Sequence, residues 1–238
     1  MQLSAHFVPW QGGALEPPAW KVDGIFVIAA HRRSDIDPID SGPIPYVSIN
    51  AWHGPRGLAV MMNDVQGTRL AMTHLLELGH RKIAFASTSG SWQDHPSVDE
   101  RLGTYRSVLR DAGLSPLDDL PTPDAINADE FLHEARRCGA TAVLAYNHFI
   151  GMSVLKSAIA TGLSVPDDLS LVCFNDEYEI DLVQPPLTRV ALPVVEAGRL
   201  AAQRLIARVE GTDIGGNPPR LDEKLIIRDS TTVPKIHL

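Results

Sequence analysis

Short apolar runs alternate along this chain with stretches in which apolar residues recur every three or four positions. The runs at residues 3–8, 24–29, 46–49, 58–62, 82–86, 140–145, 169–174, 189–192 and 224–227 are of strand length, and several lack polar alternation. Runs of that kind belong to strands covered on both faces, as in a parallel sheet between two helical layers. Between them the 3.6-residue period predicts five helices. The first is capped by Asn63 or Asp64, carries Leu70, Ala71, Leu75, Leu76 and Leu78, and stops at Gly79. The second carries Leu102, Tyr105, Leu109 and Ala112 up to Gly113, and the third Phe131, Leu132 and Ala135 up to Gly139. The fourth carries Met152, Leu155 and Ile159 up to Gly162, and the last Val194, Ala197, Ala201 and Leu205 up to Gly211. This alternation predicts a doubly wound α/β architecture.

Two units repeat a theme. Leu78-Gly79-His80-Arg81-Lys82 and Gly162-Leu163-Ser164-Val165-Pro166 each end a helix on glycine and feed a strand, which predicts two α/β halves. Polar, Pro-containing stretches at 88–96 and 176–186 are candidate crossings or site loops, and 211–219 is the clearest linker.

Composition narrows the function classes. The 238 residues can bury one large core or two small ones, and no apolar run reaches the length of a membrane span. The first residues have neither the basic start nor the apolar centre of an export signal, so a cytoplasmic protein is expected. With 21 basic against 29 acidic side chains the net charge is −8, and no Lys/Arg run is present to neutralise phosphates. Cys138 and Cys173 lie in apolar patterns and are expected to be buried free thiols.

Candidate chemistry concentrates at strand tips. Asn175-Asp176 ends the strand 169–174, and ligands of open parallel sheets bind outside the carboxyl ends of strands, although Asn-Asp is also good turn chemistry. Asn147 and His148 follow the strand ending at Ala145; Asn147 is equally suited to cap a helix, while His148 brings a group that titrates near neutrality. Arg101, at the start of a helix after a polar loop, opposes the helix dipole and must gain something there, either a ligand or an ion pair with Asp99 or Asp94. His80 is open to two readings: a base or ligand, or a structural residue whose side chain, following a helix end, bonds the last carbonyls. His95, Asp94, Asp99 and Glu100 lack the spacing of a known metal-ligand set, and no nucleophile elbow, phosphate loop or dinucleotide fingerprint occurs. The residues thus favour a binding protein with no cofactor over an enzyme.

Taken together, Val22-Asp23-Gly24-Ile25, Asp64-x-x-Gly67, Leu78-Gly79-His80-Arg81-Lys82-Ile83, Arg101 with Tyr105, residues 162–176 and Pro185-Pro186-Leu187-Thr188 resemble the effector-binding core of LacI/GalR transcription regulators, over about residues 20–210. The resemblance implies two flavodoxin-like, periplasmic-binding-protein-like subdomains, at 1–88 plus 193–211 and at 89–192 plus 212–238, joined by three crossings. It places Arg101, Asn147 and Asn175 among the ligand-binding positions, with Gln66, Leu192 and the substituted His148 beside them. Asn175 and His148 stand where the family usually carries aspartates, Thr104 where Gly is usual and Leu192 where Gln is frequent. The implied partners are a carbohydrate-like effector, a second copy in a homodimer, and DNA reached only through a headpiece that this chain does not carry; no membrane is implied. The family's first strand and helix also have no counterpart before Val22, so residues 3–8 take an interior strand's place or the chain is a fragment. A solute-binding protein of a sugar transporter is the rival on the same fold; an enzyme using His148 or Asp176 is the rival of another class.

Overall fold

The computed structural model describes residues 14–28, 30, 32–175, 183–212 and 216–235, without the side chains of residues 91 and 92. The expected strand at 3–8 and Asp176 lie outside the described residues. Two sheets form. The first contains β1 (Ile25–Ile28), β2 (Tyr46–Ile49), β3 (Leu58–Met62) and β8 (Arg220–Leu221), all parallel and in that order. The second runs β4 (Ile83–Ala86), β5 (Ala142–Ala145), β6 (Ser170–Phe174), β7 (Thr188–Ala191) and β9 (Lys224–Ile226), and only β9 is antiparallel.

Alternation along the second sheet sorts its side chains into two layers. Ala84, Val143, Leu171 and Cys173 face α4 (Asp129–Arg137) and α5 (His148–Ala160), meeting Phe131, Leu132, Val154 and Ala158. Ile83, Phe85, Leu144, Val172 and Phe174 face α2 (Asp64–Glu77) and α3 (Pro96–Asp111), meeting Met72, Leu75, Tyr105 and Leu109. The first sheet packs Val47, Leu58, Val60 and Met62 against α6 (Val194–Val209), and Val27 and Tyr46 against α1 (Arg33–Ser41). Among the described residues β1 is the outer strand of this sheet, and it leaves Phe26 47% and Ile28 63% exposed.

The strands expected at 46–49 and 58–62 form over those same residues, and all five expected helices form. Each stops at its expected glycine. Gly79 has φ 99° and Gly162 φ 78°, a left-handed backbone that resists a side chain with a Cβ; Gly113, Gly139 and Gly211 share it. Helix α1 has no counterpart among the expected elements. It contains Pro38, buries only Asp35, Ile36 and Ile39, and is closed at its start by the Asp35 carboxylate accepting from the Arg32 amide at 3.1 Å.

The sheets also divide the chain differently from the expected boundary near Thr88. The first crossing is at 62–64, because α2 already packs in the core of the five-stranded sheet and β4 pairs with β5. The return crossing leads from β7 to α6, and the third joins β8 of one sheet to β9 of the other. Residues 220–221, expected with the second half, belong to the first sheet. Cys173 is buried in β6, where burial pushes its thiol up to about 12, but Cys138 ends α4 and is exposed, contrary to expectation.

The His80 side chain is structural, though its ring does not bond the helix carbonyls. Its Nδ1 meets the Thr141 hydroxyl at 2.8 Å, and its Nε2 donates to the Thr232 carbonyl at 2.9 Å beside Ser170 Oγ. Burial holds the imidazole below its ordinary pKa, so it is neutral. The same tail is clasped further in. Ser230, wholly buried, donates to the Leu171 carbonyl at 2.5 Å, accepts from the Thr188 amide at 2.8 Å and accepts the Leu171 amide on its own carbonyl at 2.8 Å. It thereby stands in for missing ladder partners where β6 and β7 begin. Ser230→Ala strands one donor and one acceptor, and a loss of about 2–4 kcal/mol is expected in urea unfolding; an unchanged midpoint would show that the clasp contributes no stability.

Candidate functional site

The C-terminal tips of β5 and β6 bring together four of the six expected site residues. Phe174 ends β6 on the α3 side of the sheet, and Tyr146 follows β5. Arg101 reaches them from α3, whose first residue is Pro96 and whose cap is His95. Arg101 is therefore in the second turn, not at the helix start. Its guanidinium lies 3.9 Å from the Phe174 ring centroid and 5.0 Å from that of Tyr146. It donates to the Tyr146 carbonyl at 2.5 Å and to the Asp64 carboxylate at 2.6 Å. Arg101 and Asp64 are each 2% exposed. The ion pair expected with Asp99 or Asp94 is thus made with Asp64, at the first residue of α2.

Burial opposes the Arg101 charge, but Asp64 and the Tyr146 and Glu223 groups outweigh it, and the guanidinium pKa ends above its ordinary value. Asp64 feels the same burial, which pushes its carboxyl up against the pull of Arg101.

Asn147 caps α5, its side-chain oxygen accepting from the Ile150 amide at 2.9 Å. Of the two roles open to it, the capping one is filled. His148 is the buried first residue of α5, and its Nδ1 lies 3.4 Å from Asn175 Nδ2. Asn175 is half-buried with φ 81°, which asparagine tolerates better than most residues, and its amide donates to the Val190 carbonyl at 3.0 Å. The remaining two do not join the group. Gln66 holds the third crossing, its side chain donating to the Glu223 carbonyl at 3.2 Å and accepting from the Glu223 amide at 2.9 Å; it also lines a surface groove of about 540 Å³ between α2 and β9. Leu192 packs in the core under α6.

Opposite this edge stand the ends of the first sheet. His95 Nε2 donates to the Asn50 carbonyl at 2.8 Å, while its Nδ1 accepts from the Ser97 amide at 3.3 Å as the cap of α3. Ser97 Oγ continues to the Tyr146 hydroxyl at 2.9 Å. Trp52 Nε1 donates to the Asp94 carbonyl at 2.7 Å. Both ring nitrogens of His95 are thus engaged, and Glu100 grips Arg220 through two bonds of 2.7 and 2.8 Å.

Sequence reasoning missed Asp64, Tyr146 and Phe174 as members of this site. Asp64 was legible as a helix cap and as part of the Asp64-x-x-Gly67 motif, Phe174 only as the end of an apolar run, and Tyr146 lay just past the run at 140–145. The Arg101–Asp64 pair makes a sharp expectation. Arg101→Met alone leaves a buried carboxylate without its partner and should cost about 3–5 kcal/mol in denaturant unfolding. Adding Asp64→Leu should recover most of that loss; a double variant as unstable as the single would show that the charge is not the cause.

The profile of the periplasmic binding protein-like domain family matches residues 72–231. The HTH-type transcriptional regulator CelR of Thermobifida fusca is 29% identical over 223 residues, covering 88% of this chain and 63% of that protein, so the chain spans less than two thirds of this relative. A LacI family transcriptional regulator from Mycobacterium smegmatis superposes with TM-score 0.77 at 28% identity, over 91% of this chain and 81% of that one. A transcriptional regulator CelR–cellobiose complex superposes with TM-score 0.75 at 29% identity, over 88% and 66%. The chain belongs to the periplasmic binding protein-like domain family, and within it resembles the effector-binding cores of LacI-family regulators.

Proposed function

We propose that this chain is the effector-binding core of a LacI-type transcription regulator, taking a carbohydrate-like small molecule at the C-terminal edge of the five-stranded sheet. The observation that carries the reading is the Arg101 guanidinium, buried at the strand tips between Phe174 and Tyr146 and beside Asn147, His148 and Asn175. A planar fork of donors fixed at the strand tips, next to neutral amides, suits the hydroxyl groups of a sugar. No carboxylate occupies positions 148 or 175, so the contacts to hydroxyls come from Asn175 and Arg101, and from His148 through its ring nitrogens. The CelR–cellobiose complex supports a carbohydrate as the ligand class.

The mechanism is a population shift. The two sheets act as the subdomains, the three crossings as hinges, and the effector favours one relative orientation by differential contact. In the whole regulator a homodimer of cores sets the spacing of two headpieces on DNA. DNA contact is made outside this chain, in keeping with its net charge of −8. The core binds and does not turn over its ligand.

Thermal-shift and calorimetric titration against neutral mono- and disaccharides, with nucleosides and sugar phosphates alongside, tests this. A bound sugar at a hundredfold excess over its Kd should stabilise the core by about 2.7 kcal/mol. Asn175→Gly keeps the positive φ and removes only the side chain, so it should weaken binding about tenfold with little change in the ligand-free melting temperature. If no carbohydrate shifts the melting curve, or if the Gly variant binds as the parent does, the site assignment falls.

A further inference from the structure

The third crossing buries a carboxyl group that the proposed effector site does not use. Glu223 lies between β8 of the first sheet and β9 of the second and is 2% exposed. Both its carboxyl oxygens are buried without a hydrogen-bond partner. Its backbone is fixed by Gln66 on both sides, and the neighbouring Asp222 accepts from Asn63 at 2.8 Å, so the first and third crossings are laced together around it. The carboxyl rests on the start of α2: a Cβ on Gly67 would stand 1.7 Å from Glu223 Oε2 and 2.9 Å from Val190 Cγ1.

The charged groups that act on this carboxyl are Asp64 of α2 and Arg101 and Glu100 of α3, while the apolar Val190 of β7 packs beside it on Gly67. Arg101 gives its Nε to Asp64 and one Nη to the Tyr146 carbonyl, and Arg220 of β8 is paired with Glu100. An ionised Glu223 would thus be a second buried carboxylate, sharing Arg101 with Asp64 and without a hydrogen bond of its own. Burial penalises it more than Arg101 attracts it, whereas a neutral acid escapes that penalty.

We propose that the junction of the two sheets is a proton-dependent latch: it is closed while Glu223 is a neutral acid, and it loosens when Glu223 ionises and the crossing moves to admit water. Burial pushes this carboxyl from its ordinary value of 4.5 up to about 8. The packed junction therefore binds a proton that the solvated one releases. Its stability is complete below the ordinary value, is lost progressively as pH rises towards about 8, and levels off above that. The opening constant rises by at most about tenfold per pH unit within the window. The latch is a property of the ligand-free chain and stands whether or not a sugar binds at the strand tips.

Two measurements on the whole chain test it. Carboxyl carbon NMR, assigned through Glu223→Gln, should place the Glu223 midpoint near 8. Amide exchange at residues 63–67 and 222–226, corrected for intrinsic rates, should reveal an opening constant that grows from pH 6 to pH 8 in the parent and stays flat in Glu223→Gln. A Glu223 midpoint in the ordinary carboxylate range overturns the proposal, as does the same pH dependence in both proteins. Should Glu223→Gln fold poorly, the parent's carboxyl signals decide the matter: a buried acid titrating near 8 must be among them, and its absence overturns the latch.

Discussion

Burying the Arg101 guanidinium obliges the molecule to build a surround for it. Taken from water unpaired, that charge would cost far more than the margin of stability a domain possesses. Asp64 answers the charge, the Tyr146 carbonyl takes a second donor, and the rings of Phe174 and Tyr146 cover its faces. These partners come from the start of α2, from the end of β5 and from the end of β6, so one side chain of α3 fixes where one helix begins and two strands finish. The strand tips are held in place because their last side chains are wanted by the guanidinium. Asn147 and Asn175 then stand one residue beyond those anchors.

Around that centre the two sheets meet through polar contacts rather than a shared apolar core. The four apolar clusters each stay within one face of one sheet. Between sheets run the His95 bond to the Asn50 carbonyl, the Trp52 bond to the Asp94 carbonyl and the bidentate Arg220–Glu100 pair. Polar contacts of this sort exchange readily for water, whereas interdigitated apolar side chains do not. The arrangement suits two rigid bodies with more than one accessible orientation.

Much of this fold was legible before any coordinate. Apolar runs buried on both faces mark β4, β5 and β6 because strands between two helical layers need no polar side, and the glycine stops mark helix ends because the backbone there turns left-handed. What was not legible depends on long-range geometry. Helix α1 is short, with Pro38 inside it and only Ile36 and Ile39 as its apolar buried residues. The crossing at 62–64 is hidden because Asn63 caps a helix in the same way whichever sheet that helix covers. At the site, Arg101 and Asn175 were legible as residues needing a reason, but the partner of Arg101 sits 37 positions away and could not be read from local charges. Gln66 and Leu192 have positions that suggest a ligand and side chains that serve the crossing and the core.

The C-terminal clasp has a bearing on how the protein is made. Residues 220–221 complete one sheet, 224–226 the other, and Ser230 fills the gap where β6 and β7 begin. No nascent chain ending before residue 220 contains either sheet whole, so on the ribosome both bodies wait with an open edge until this segment leaves the exit tunnel. Vectorial synthesis thus makes closure of the two halves nearly simultaneous, although their other strands emerge far apart in time.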